Sequence, residues 1–175
     1  GPPVSTADAE QREAAWLAQV DTLPSLLTLN GGPFEVVQAF WPGAKFAAKK
    51  TAIYVQRRRT RVYRFGGQRL RPSYEFQLKL VWPLKATQAG IAETEAQNFA
   101  NAVELLRQRV SGPSGDKTHG GRFLSVAEAL EGGTTGGGSY AYFEVDYADP
   151  EVTIPQGGWL RATVAYPADD PELMG

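Results

Sequence analysis

The chain of 175 residues contains no cysteine and a single histidine. Without thiols, disulfides and thiolate-held metals are excluded. His119 stands in Thr118-His119-Gly120-Gly121, where no second ligand follows at metal-site spacing. There is no Gly-x-Ser-x-Gly elbow for a serine nucleophile. The glycine-rich run Gly132 to Gly138 is not followed by Lys-Ser or Lys-Thr, so it is no Walker loop. No strand and helix frame it as a dinucleotide fingerprint. No apolar run reaches the roughly 20 residues of a membrane span, and Gly1-Pro2-Pro3 opens without the charged and apolar regions of a signal peptide. The formal net charge of −1 gives no overall attraction to nucleic acid or anionic membrane. From these absences no catalytic residue, metal or cofactor is expected. His119 is expected to serve loop polarity or a turn, and Asp169-Asp170 to be solvated in an extended tail.

What is present is an uneven distribution of charge. Residues 45–85 hold twelve of the eighteen Lys and Arg and one acid, Glu75; residues 86–175 hold thirteen of the nineteen acids and five bases. Within one domain, such a separation predicts a basic surface and an acidic surface. The length suits a single domain over 1–175, with extended ends at 1–4 and 167–175.

Residues 5–23 read as a helix: Ser5 or Thr6 caps it, Asp8 and Glu10 suit its positive end, and Pro24 follows. Asn30-Gly31-Gly32-Pro33 is a turn cluster. The segment Phe34 to Trp41 is apolar, and its pattern fits either strand or helix. From Ala52 to Trp82 a long hairpin is predicted. Tyr74, Phe76, Leu78, Leu80 and Trp82 alternate with Ser73, Glu75, Gln77 and Lys79, the period of a half-buried strand. The opposing strand begins apolar (Ile53, Tyr54, Val55) and turns cationic, and Gly66-Gly67 marks the reversal. Residues 91–110 give a helix whose stripe is Ala92, Ala96, Phe99, Val103, Leu106 and Val110. Ser111-Gly112-Pro113 stops it, and its stripe is expected to cover the apolar face of the hairpin. Short strands are expected at 122–127, 140–147 and 159–166, the last with Leu160, Ala162, Val164 and Tyr166 on one face. The order gives an α+β class with a mostly antiparallel sheet, a long β-hairpin and flanking helices.

The cationic arm is the candidate functional feature: Arg57, Arg58, Arg59, Arg61, Arg64, Arg69 and Arg71. A strand of about 14 residues spans ~45 Å, whereas a compact chain of this size has a diameter near ~40 Å. The hairpin is therefore expected to overhang its domain. Three roles are open for the arginines: binding nucleic-acid phosphate, binding the acidic half of a neighbouring copy in a contact that closes rings, or blocking wrong pairing of an exposed edge. Tyr63 and Phe65 alone interleave aromatics with the charges, a poor match to nucleic-acid motifs. The neighbouring copy best fits the charge separation.

The stretches Phe40-Trp41-Pro42, Ala52-Ile53-Tyr54-Val55, Leu80-Val81-Trp82-Pro83-Leu84, Gly115 to Glu128 and Leu160 to Tyr166, followed by Asp169-Asp170, resemble tail terminator proteins of long-tailed (siphovirus-type) bacteriophages, those of actinobacteria in particular. The resemblance implies an α+β fold and a hexameric ring at the head-proximal end of the tail tube. Such a ring ends tube growth and offers a surface to the neck, or connector, of the head. It implies a virion protein assembled in the host cytoplasm, with no membrane partner and with genomic DNA passing through the lumen unread. No individual functional residue is carried over. Another neck or head–tail adaptor, a nucleic-acid-binding module and a small enzyme are the alternatives.

Overall fold

A computed structural model describes residues 7–19, 25–43, 50–64, 70–84, 91–112, 116, 118–123, 126, 142–153 and 157–170. Alternation of large apolar and polar residues makes β3 (Leu70–Leu84) the spine of the sheet. Tyr74, Phe76, Leu78, Leu80 and Trp82 are all buried on one face. It pairs antiparallel with β2 (Ala52–Arg64) on one side and with β6 (Gly157–Asp169) on the other. The outer strands are β1 (Val36–Ala39), which runs parallel to β2 along Ala52–Val55, and β4 (Glu144–Tyr147), antiparallel to β6. A three-residue β5 (Glu151–Thr153) continues the β4 side of β6, so the order is β1-β2-β3-β6-β4 with β5 off that path. The fold is α+β, with a mostly antiparallel sheet built around the long β2–β3 hairpin. Phe34–Trp41 resolves as strand, because Val36 to Ala39 extend beside β2.

Helices α1 (Ala9–Leu17) and α2 (Ile91–Ser111) bury their apolar stripes on the face presented by Ile53, Val55, Phe76, Leu78 and Leu80. In α2 the buried positions are Phe99, Ala102, Val103, Leu106, Arg109 and Val110. Phe99 packs on Trp82 with ring centroids 5.7 Å apart, as expected of a helix lying on the hairpin. Ala96, expected in the stripe, is exposed; among the described side chains the packed face starts at Phe99, ends at Val110 and also takes in Ala102 and Arg109. The side chain of Ala92 lies outside the described residues. The opposite face of the sheet carries a second, smaller cluster of Ala52, Tyr54 and Val81, flanked by Val36, Trp41 and Trp159.

Several expected boundaries shift. The first helix covers Ala9–Leu17 rather than 5–23, with Asp8 preceding it and its end closed by the Ala18 N–H on the Ala14 carbonyl and the Gln19 N–H on the Trp16 carbonyl. The caps Ser5 and Thr6, both chain ends at 1–4 and 171–175, the stop at Pro24, and the glycine runs at 66–67 and 132–138 lie outside the described residues. Of the strand expected at 140–147, Glu144–Tyr147 is strand and Tyr142 and Phe143 are not, and 140–141 lie outside the described residues. Among the described residues of 122–127, where a strand was expected, none is in a strand: Arg122, Phe123 and Val126 lie in turns or bends. The cause is the preceding turn. His119, Gly120 and Gly121 all take positive φ, and the Phe123 N–H closes onto the Thr118 carbonyl at 2.9 Å. That aims Phe123 into the core rather than along a strand. A Cβ on Gly120 would stand 3.3 Å from Trp16, so the site favours glycine both by its backbone angle and by its neighbour.

The expected extended tail also begins differently. Residues 167–169 belong to β6, Ser73 pairs with Asp169, and the Asp170 N–H donates to the Pro72 carbonyl at 3.1 Å. Asp169 and Asp170 are buried, not solvated. Tyr74 donates its hydroxyl to Asp170 at 3.2 Å, and Arg122 reaches the same carboxylate oxygen at 2.5 Å. A buried carboxylate needs such partners.

Candidate functional site

The arginine arm begins within the sheet. Antiparallel partners share a face, so Arg57 (opposite Phe76), Thr60 (opposite Tyr74) and Val62 (opposite Pro72) lie on the helix-covered side. Arg59 (opposite Glu75), Arg61 (opposite Ser73) and Tyr63 (opposite Arg71) lie on the other side. The register slips between Arg57 and Arg59, which puts Arg58 in a bulge. Bulges twist an edge strand away from unwanted pairing.

Overhang is shorter than the sequence suggested. The third strand, β6, accompanies β3 as far as Ser73. Only Val62–Arg64 and Leu70–Pro72 therefore form a two-stranded tip. On its outer side β2 is paired with β1 only at Ala52–Val55, and among the described residues no strand borders it from Gln56 to Arg64.

The arginines divide by partner. Arg57 turns back onto its own domain, 2.8 Å from Glu10 and with its guanidinium 5.6 Å from the centroid of Tyr74. Arg58 reaches Glu75 at 3.1 Å. Arg59, Arg61 and Arg64 are exposed and Arg71 is half-buried. Arg61 donates to the Tyr63 hydroxyl at 3.5 Å, a contact that raises its pKa. Arg69 lies outside the described residues. Structure thus gathers Arg59, Arg61, Arg64 and Arg71 near the tip and separates from them Arg57, which is anchored to α1.

Further along the chain, the other edge of the sheet carries the opposite charge. Glu144 and Asp146 on β4, with Asp149 just beyond, are exposed. Beside β4, burial and then the neighbouring Glu75, which accepts its hydroxyl, push the Tyr142 phenol well above its ordinary range. The basic and acidic surfaces expected from the charge count are therefore opposite edges of one sheet.

A second polar constellation was not legible as such. His119 is buried, with Nδ1 2.8 Å and 2.9 Å from the two oxygens of Glu13 and Nε2 3.1 Å from the Val110 carbonyl. Both ring nitrogens face acceptors. The geometry is satisfied when Nε2–H donates to Val110 and one proton lies between Nδ1 and the carboxylate. Tyr166 donates to the same carboxylate at 2.5 Å, and its burial, with Glu13 beside it, raises its pKa well above the usual value. Trp16 stacks on His119 at 3.6 Å and takes the Arg109 guanidinium over its face at 3.5 Å. Arg109 also donates to the Trp16 carbonyl at 2.7 Å.

His119 therefore departs from the role expected of it: its positive φ serves a turn, but its ring is a packed, hydrogen-bonded core group. A ring engaged at both nitrogens presents no lone pair to a substrate, and no group of metal-ligating side chains occurs among the described residues. Next to it Asp116 organises the turn. It accepts from the Thr118 hydroxyl at 2.6 Å, the Thr118 N–H at 2.9 Å and the Gly120 N–H at 2.8 Å. The Thr118 hydroxyl bond leads the effects that lower the Asp116 pKa.

The sequence signal for this cluster is an acid in an apolar stripe: Glu13 stands one helical turn before Trp16 and Leu17 on the buried face of α1. No helix among the described residues is long and apolar enough to cross a membrane. The chain matches no protein-family model, and a comparison with curated proteins returns no significant match.

Proposed function

We propose that this chain is a structural assembly protein whose copies join through the cationic hairpin edge, and that the assembly is a ring. More specifically, it acts as a tail terminator. A hexameric ring caps the head-proximal end of a siphovirus-type tail tube, stops its growth and presents a surface to the neck of the head. Genomic DNA passes through the lumen, and the chain performs no catalysis. The observation that carries this reading is the polarity of the sheet: an arginine-lined edge ending in a two-stranded tip on one side, and exposed Glu144 and Asp146 on the other. Unlike surfaces on one molecule form head-to-tail contacts, and those close into rings when the rotation permits. The resemblance of its sequence stretches to tail terminators supports the particular assignment.

The test is capping. Purified protein is added to tube protein as it polymerises, and the product is imaged by electron microscopy. Tubes arrested at one length, each with a ring at one end, are expected. Tubes that grow undisturbed overturn the terminator reading, and a ring seated on the neck but never on the tube makes the chain a neck adaptor instead.

A further inference from the structure

The two open edges of the sheet match each other in direction, face and charge. Beyond Val55 the outer edge of β2 has no neighbouring strand among the described residues, and neither has the outer edge of β4. β2 and β6 run the same way, and β4 runs against both. Copies related by rotation about an axis along the strands keep their strand directions. In such an arrangement β2 of one copy meets β4 of the next antiparallel, the pairing with the better hydrogen-bond geometry.

Each edge also sorts its residues by face in the same sense. On β2, Val62 lies on the helix-covered side, and Arg59, Arg61 and Tyr63 lie on the other. On β4, Val145 and Tyr147 lie on the helix-covered side, opposite Val164 and Ala162, and Glu144 and Asp146 lie on the other. Val62 and Tyr147 are two of the four large exposed hydrophobics among the described residues, at 46% and 60%.

We propose that the sheet continues from copy to copy, with the outer edge of β2 taking the outer edge of β4 and β5 of the next subunit. This deepens the ring reading above and rests on it. The register follows from an obstacle. β1 occupies the edge at Ala52–Val55, so the incoming β5 must stop above it, with Thr153 opposite Gln56. Counting along the strands and across the bulge at Arg58, Glu151 then stands at the level of Arg59, Tyr147 opposite Val62 and Asp146 opposite Tyr63. Exposed apolar residues meet on one face. On the other, the acids of β4 and of the turn after it come beside Arg59 and Arg61. Cross-strand pairs of these kinds are favourable. The symmetric alternatives are opposed by charge: β2 against β2 sets arginines on arginines, and β4 against β4 sets Glu144 and Asp146 on each other.

Because the chain lacks cysteine, the contact can be read by single introduced pairs. Val62→Cys mixed with Tyr147→Cys should give a disulfide-linked dimer on mild oxidation, and the double variant a covalent ladder ending at the ring. Leu29→Cys mixed with Tyr147→Cys, from a remote exposed site, should give none.

Charge provides the second arm, read by native mass spectrometry. Arg59→Glu/Arg61→Glu alone and Asp146→Lys/Asp149→Lys alone should each weaken assembly by about tenfold or more. A mixture of the two should assemble, because each variant's altered edge fits the other's. If wild type forms rings but Val62→Cys and Tyr147→Cys give no cross-link, or both charge-reversed variants assemble as wild type does, this interface is overturned and the ring is left standing. Wild type that remains a single copy, alone and on tail tubes, overturns both. Cross-linked rings that fail to cap tubes overturn the terminator reading alone.

Discussion

A carboxylate on the buried face of a short helix needs donors, and Glu13 finds them in His119 and Tyr166, 106 and 153 residues away. The cost of breaking such a set exceeds the gain of making it. His119→Ala should therefore lower stability by about 3–5 kcal/mol, and Tyr166→Phe, which removes one donor, by about 1–3 kcal/mol. Urea unfolding of both variants measures this; unchanged midpoints would show that the cluster is not closed in solution. Tyrosines give a second test. Burial, with Asp170 beside it, raises Tyr74 from its ordinary value of 10.0 to about 12, and Tyr166 is also raised. Folded values above the unfolded one mean stability fully present below pH ~10, declining as pH climbs toward and past 12. Alkaline unfolding of wild type should thus begin near pH 10 and be less steep in Tyr74→Phe; identical profiles would count against the shift. Sequence could place Trp16 and Leu17 on a buried face but not the partners of Glu13. Those bonds are made by tertiary packing across more than a hundred residues, and no local pattern encodes them. Asp169 and Asp170 were misjudged for the same reason: Arg122 and Tyr74 are distant in the chain and adjacent only once β6 has paired with β3.

Elements with a strong period were the legible ones. β3 and β6 alternate over many residues and α2 repeats an apolar stripe, so periodicity and burial agree there. β1 and β5 were not separable or not foreseen, because four and three residues are too few for a period to show. The 122–127 segment looked strand-like, yet positive-φ residues before it decide its course. On α2 the consequences are measurable. Phe99 is buried against Trp82, and Phe99→Ala should cost about 3–5 kcal/mol. Glu104 is exposed and pairs with Arg107 one turn on; Glu104→Ala should change stability by less than about 0.5 kcal/mol. Glu95 differs. It accepts the Trp82 indole N–H at 2.7 Å, so Glu95→Ala leaves a largely buried donor unsatisfied and should cost about 1–2 kcal/mol. Thermal melts should show the largest loss for Phe99→Ala, a smaller one for Glu95→Ala and the least for Glu104→Ala, and a Glu95 variant as stable as the Glu104 variant would show that the indole finds water instead.

Over the whole molecule, the arginine arm separates folding from assembly. Arg57 is tied to Glu10 and Tyr74, so Arg57→Ser should destabilise a single copy by about 1–2 kcal/mol. Arg59→Ser/Arg61→Ser should leave the melt of a single copy nearly unchanged, since exposed charges contribute little, and should weaken association between copies. The same arginines decide between assembly and nucleic-acid binding. A chain of net charge −1 has no long-range field to hold DNA, and a few exposed arginines release few counterions when they meet phosphate. Binding of duplex DNA, measured by fluorescence anisotropy at rising salt, should therefore be weak, indifferent to sequence and lost between low and physiological ionic strength, where the screening length shrinks to ~8 Å. The Arg59→Ser/Arg61→Ser protein should lose that residual binding and its self-association together, because both use the same exposed edge. Tight DNA binding that survives physiological salt and disappears in this variant, with self-association intact, would make nucleic acid the partner of the arm and would refute the assembly reading.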